Sequence, residues 1–317
     1  MSILNIPTCE SNAGNTGVPS CYFDLGKIKG IFLTKKSTYL TAANLASETA
    51  LLTAMQTAVM ATGDARLYPM FRFQAINDQS EEAITSTSGY GEVQFSREGM
   101  YNWTFELADG GMCLQKNLRK FNGQSGYSVY LVDDKNQLIG KKDSSGNLWG
   151  FDIGFFYAHK LQINNGSDAS KYMVQFTMPR VEQLNDQFGV VAATTIDFES
   201  DVLGILDLEL YQVAVAAGVA TIGVRLNCGK TNLYADLKTA LASPSVWTAT
   251  NPSTGASVTI TGVTADDTNL AFDVAMTHTG AITIGLASPA TLDAASIGGA
   301  PLNPYEGIAV TVTLPAP

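Results

Sequence analysis

The stretch that decides the fold is Tyr127–Lys141, YSVYLVDDKNQLIGK. Two apolar runs, Tyr127–Val132 and Leu138–Lys141, flank Asp133-Asp134-Lys135-Asn136. Asp and Asn favour bends because their side chains bond to nearby backbone. The segment therefore predicts two antiparallel strands joined by a hairpin turn. Working outward, the pattern recurs about every ten residues. Before it, Tyr22–Leu25, Ile28–Leu33, Leu67–Ala75, Glu92–Phe95 and Asn102–Leu107 read as strands. After it, Leu148–Phe156, Leu161–Ile163 and Tyr172–Met178 do the same, and Cys113–Asn122 reads as one or two helical turns. Many short strands at this spacing predict an antiparallel β-sandwich or barrel.

One segment breaks the pattern. Residues 41–61 read as a helix capped by Thr41, with Leu45, Leu51, Leu52, Met55, Val59 and Met60 on an apolar face and Gly63 as the stop. Its other face carries Asn, Ser, Thr and Gln instead of charges. That face suits either solvent or a second subunit. A polar span, residues 77–91, runs through Glu81 and Glu82 to Gly89-Tyr90-Gly91. Long spans of this kind are functional or disordered, and this one reads as a projecting loop or long hairpin.

Composition shifts near residue 200. Residues 201–317 hold three basic and nine acidic residues, and are rich in Ala, Thr, Val and Gly. About seven strand patterns lie there, which fits an immunoglobulin-like sandwich without a Cys…Trp…Cys pattern. Two domains are therefore expected, 1–200 and 201–317, with residues 1–20 as an N-terminal arm.

The chain has 317 residues and a formal net charge of −10. That balance excludes a general DNA-coating role, because phosphate binding needs cations. The N-terminus lacks the charged and apolar regions of a signal peptide, and no run is long enough for a membrane helix. Cys9, Cys21, Cys113 and Cys228 have irregular spacing and read as small buried thiols in a reducing compartment.

Candidate chemistry is sparse. Cys228-Gly229-Lys230-Thr231 follows a strand, but a phosphate loop needs Gly where Val224 stands. It reads as a turn. His159 and His278 belong to no metal or catalytic cluster, and no G-x-S-x-G elbow is present. Asp266, Asp267, Asn269 and Asp273 fit a hairpin turn better than a calcium loop. Glu81-Glu82 point opposite ways on an extended chain, so they do not make a glycosidase pair. No catalytic residue, metal or cofactor is expected. Phe155-Phe156-Tyr157 cannot all face one core. One of them turns to another subunit or domain, unless the chain bends or leaves an aromatic exposed.

The order of features resembles a known family. The acidic loop Glu81-Glu82…Gly89-Tyr90-Gly91 leads into Arg97–Phe105. Leu118…Phe121-Asn122, the hairpin at 130–140 and Gly150-Phe151 follow. The arrangement resembles the major tail (tail tube) proteins of long-tailed bacteriophages, which often carry a C-terminal immunoglobulin-like domain. The resemblance implies a structural virion protein that is not an enzyme. It implies stacked hexameric rings around a channel, with DNA as passing cargo, partners in the same chain and other tail or neck proteins, and no membrane. Assembly would take place in the host cytoplasm. It also implies a ring-bridging role for the loop at 77–91 and for the N-terminal arm. Candidate inter-subunit contacts are Glu81, Glu82, Tyr90, Phe155, Phe156 and Tyr157. Two other readings stand beside it: a capsid decoration or head-fibre protein, and a carbohydrate-binding module using Trp247 or Tyr305.

Overall fold

The computed structural model describes residues 3–5, 25–108, 110–164, 166, 170–295 and 304–316. Strands make up 45% of the structure and helices 18%, so the chain is mainly β. It divides into two compact units, Met1–Val202 and Leu203–Pro317.

In the first unit the strands are β1 (Leu4–Asn5), β2 (Ile28–Lys35), β3 (Tyr39–Leu40), β4 (Tyr68–Phe71), β5 (Phe73–Asp78), β6 (Ile84–Thr87), β7 (Val93–Arg97) and β8 (Tyr101–Leu107). They continue with β9 (Tyr127–Asp133), β10 (Gln137–Lys142), β11 (Leu148–Trp149), β12 (Phe151–Asp152), β13 (Phe156–Ala158), β14 (Tyr172–Met178) and β15 (Phe188–Ala192). Helices are α1 (Glu48–Met60), α2 (Met112–Leu118), α3 (Glu182–Asn185) and α4 (Phe198–Asp201). A nine-stranded sheet has the path β1-β15-β10-β9-β2-β4, with β3, β11 and β12 as short attachments. A four-stranded sheet runs β13-β14-β8-β5.

The hairpin expected at 127–141 is the centre of the larger sheet. Every residue of β9 is buried. Strand side chains alternate, so burial throughout requires cover on both faces. On one face Ile31, Leu33, Val129, Leu131 and Ile139 meet Trp103, Phe105, Val174 and Phe176 of the smaller sheet. Rings of Phe105 and Phe176 stack 5.3 Å apart. On the other face Phe32, Tyr130 and Val132 are buried as well. There α1 supplies Leu51, Met55 and Val59. The turn is held by Asp133, whose Oδ1 accepts the N–H groups of Lys135 and Gln137. Asn136 takes the left-handed conformation there, which Asn tolerates better than most residues.

The α1 helix begins later than its sequence pattern suggested. Ser47 caps it and accepts the N–H of Ala50. Thr41 instead exchanges hydrogen bonds with Asn44 in a separate short turn. Glu48, in the first turn of α1, ties the helix to the end of the unit. Its carboxylate accepts the hydroxyl and N–H groups of both Thr194 and Thr195. Those bonds, the Thr195 hydroxyl first, lower its pKa from 4.5 to about 2.

The cysteine expectation is corrected. Cys113 and Cys228 are both disulfide-bonded. Cys113 is half-buried and Cys228 is exposed, so neither is a buried free thiol. Most of the N-terminal arm, including Cys9, lies outside the described residues, as do Cys21 and most of Tyr22–Leu25.

The second unit contains β16 (Leu206–Ala216), β17 (Val219–Leu226), β18 (Trp247–Thr250), β19 (Ile260–Asp266), β20 (Ala271–Met276), β21 (Gly280–Leu286), β22 (Tyr305–Ile308) and β23 (Val310–Leu314), with helices α5 (Tyr234–Leu237) and α6 (Pro289–Ala295). One sheet runs β19-β20-β17-β16-β22 and the other β18-β21-β23. Lettered in chain order, β16 to β21 are A to F, and β22 and β23 share the last strand, G. The partition is then ABED against CFG, that of a constant-type immunoglobulin sandwich. Its core places Trp247 of β18 beside Phe272, with ring centroids 5.7 Å apart. The Trp247 indole N–H donates to Leu241 O at 2.8 Å. Trp247 therefore packs the core and offers no surface to a glycan. Cys228-Gly229-Lys230-Thr231 forms a turn with positive φ at Gly229 and Lys230.

Phe105 is fully buried between the sheets. Phe105→Ala should cost about 3–5 kcal/mol of unfolding free energy, measured by denaturant titration. The Glu48 pKa is lowered on folding, so its stabilisation is present above about pH 4.5 and lost as pH falls toward 2. Between about pH 5 and pH 2 the melting temperature should therefore fall less steeply in Glu48→Gln than in the parent.

Candidate self-association site

The β5–β8 ladder does not stop where the core stops. Past Asp78, the N–H of Gln79 donates to Asn102 O and that of Glu81 to Met100 O. The Asp78 carboxylate accepts the Ser80 N–H, and Ser80 Oγ accepts the N–H of Asn102. These bonds carry the two chains outward together. Gly99 permits the close approach, because a Cβ there would collide with the backbone of Glu81 and Glu82. Beyond it β6 and β7 pair as a separate two-stranded sheet, with a bulge between Ile84 and Thr85. The Ser88–Glu92 turn closes it, with Gly91 at φ +82°.

The expected projecting loop is thus a β-hairpin arm. Every residue of β6 and β7 is exposed. Tyr90 at the tip is 99% exposed. Val93 and Phe95, two residues apart and so on one face, are 69% and 62% exposed. Ile84 is exposed as well. Glu81 lies 3.6 Å from Arg97 across the arm; exposed pairs of this kind contribute little. Glu82 points to solvent. An isolated two-stranded hairpin is marginally stable in water, and clustered exposed apolar side chains mark contact sites.

At the far edge of the same sheet, β13 divides the aromatic triplet. Phe156 is 1% exposed and packs edge-on to Phe121 in the core of its own unit. That removes Phe156 from the candidate contacts. Phe155 and Tyr157 point the other way, each 42% exposed. The structure therefore gathers Glu81, Glu82 and Tyr90 on one arm. Phe155 and Tyr157 sit at the opposite edge of the sheet.

Between those edges the outward face of the sheet is polar. Gln175 Nε2 donates to Asn102 Oδ1 at 2.8 Å, and His159 Nε2 lies 3.0 Å from Gln175 Oε1. Lys171 pairs with Glu106 at 3.4 Å. This ladder of amides spans strands without offering a loose cation among these groups. Among the described residues no cluster of three His, Cys, Asp or Glu is placed to hold a metal. None of their helices is long and apolar enough to cross a membrane.

Ile84 lies in the span read as projecting, but sequence reasoning missed Val93 and Phe95 as surface residues. Their alternation was visible, but alternation does not say whether a strand has a core to face. No protein-family model matches the chain, and no curated protein matches it.

Gly99→Val should detach the two chains of the arm at its root. Hydrogen exchange should then lose protection at residues 79–102 and keep it in β9 and β14. Equal protection throughout would show that the arm does not depend on that approach.

Proposed function

We propose that this chain is a structural subunit that assembles with copies of itself into the stacked rings of a virion tail tube, around a channel through which DNA passes. The observation that carries the reading is the arm: a built, hydrogen-bonded hairpin that presents Ile84, Tyr90, Val93 and Phe95 to solvent. A soluble chain gains nothing from that exposure unless another surface covers it.

Two further features support it. The four-stranded sheet ends in β13 and β5. The Asn122 side chain already bonds the N–H and the carbonyl of Ala158 in β13, so among the described residues β5 is the more open edge. An open strand edge is a template for pairing with another chain, and a repeated contact between copies would close a ring of six. The polar outward face of that sheet would then line the channel. Its amides and the Lys171–Glu106 pair give phosphate no strong hold. A net charge of −10 has the same sense. In this reading the chain acts by shape and charge, with other tail or neck proteins at the ends of the tube.

Negative-stain electron microscopy with light scattering on the purified full chain tests the proposal. Hexameric rings or tubes with a central hole are expected. A particle that stays monomeric or trimeric at high concentration overturns it. Binding only to assembled capsids would move the chain to a decoration role.

A further inference from the structure

The arm needs a receiving surface, and the first unit contains an open one. A groove of about 810 Å³ runs beside α1, walled by Tyr39, Leu40, Ala50, Ala54, Ala58 and Leu67. No charged side chain lines it. The helix face is more apolar than its sequence suggests. Thr53 and Thr57 donate their hydroxyls to Thr49 O and Thr53 O of the same helix, at 2.9 and 2.7 Å. Those hydroxyls already have partners, so the face can lose water at low cost.

The arm matches this groove in charge. Apart from Glu92 in the closing turn, residues 83–96 carry none, and Val93 and Phe95 share one face of β7. Both surfaces belong to the same unit, yet both are open: Phe95 is 62% exposed while the groove stands empty of any side chain from β6 or β7. They do not meet within one chain. We infer that the hairpin arm of one copy seats in the α1 groove of a second copy. The inference rests on the self-assembly reading above and supplies its acceptor. Donor and acceptor differ, so the contact is head-to-tail and can repeat from copy to copy.

The test uses two full-length variants, Phe95→Glu on the arm and Ala54→Glu in the groove. Thr57→Glu, at an exposed groove position, is a second acceptor variant that disturbs folding less. Thermal melts establish that each is folded. A carboxylate buried without a partner should weaken self-association by about tenfold or more. Sedimentation should therefore show each variant dissociated at concentrations where the parent assembles. Mixed in equal amounts, Phe95→Glu and Ala54→Glu should form a one-to-one dimer. The groove variant still owns an intact arm, and the arm variant an intact groove. A mixture that stays monomeric overturns the inference, as do acceptor variants that assemble like the parent. A parent that is itself monomeric at high concentration overturns it too. Rings that persist in Ala54→Glu and Thr57→Glu would leave the tube reading standing and remove only this acceptor. Dimers in the mixture without rings in the parent would do the reverse.

Discussion

Burial of β9 on both faces is the constraint on which the first unit depends. A strand buried on one side needs one partner layer. Tyr127–Asp133 needs two, because Val129 and Leu131 face the smaller sheet while Tyr130 and Val132 face the side that α1 covers. Three layers follow from that: helix, large sheet, small sheet. The small sheet is then the outermost β layer. One of its faces is spent on the core, through Trp103, Phe105 and Phe176. Among the described residues its other face and its β5 edge remain available for contact, while Asn122 occupies the backbone of β13. The part of the molecule that can meet a neighbour is thus the part the packing of β9 leaves over.

The arm follows from the same sheet by continuation. A ladder can extend past its core only while backbone bonds and close packing replace the lost hydrophobic contact. Ser80 with Asp78, and Gly99 against Glu81, provide that at the root. Farther out nothing comparable supports β6 and β7, whose residues are all exposed. A hairpin of this length is therefore incompletely stabilised by its own chain, and a covering surface would contribute the missing burial.

Much of this was legible in residue order. The hairpin at Asp133–Asn136, the alternating strands and the sandwich after residue 203 follow from turn chemistry and period-two patterns. The errors have local causes. Thr41 and Asn44 bond to one another in a turn that looks like a helix cap, so α1 appeared to start too early. The triplet at 155–157 was correctly seen as divided. Which members face outward depends on register against Phe176, set by β14 far along the chain. Val93 and Phe95 alternate as core residues do, and only the absence of a facing layer makes them surface. The cysteines were read from compartment, which says nothing about which sulfur atoms the fold brings together.

Charge decides what kind of contact such a chain can use. Copies at −10 repel one another. In the second unit the three basic residues are already committed: Arg225 and Lys230 to Glu209, and Lys238 to Asp267. Association between copies therefore cannot rest on broad charge complementarity. It has to come from short-range burial, at surfaces that bring no further charge together. The Val93–Phe95 face of the arm and the wall of the α1 groove are two such surfaces, both apolar. Long-range repulsion, screened beyond about 8 Å at physiological salt, then sets how readily copies approach. The apolar contact sets how firmly they stay.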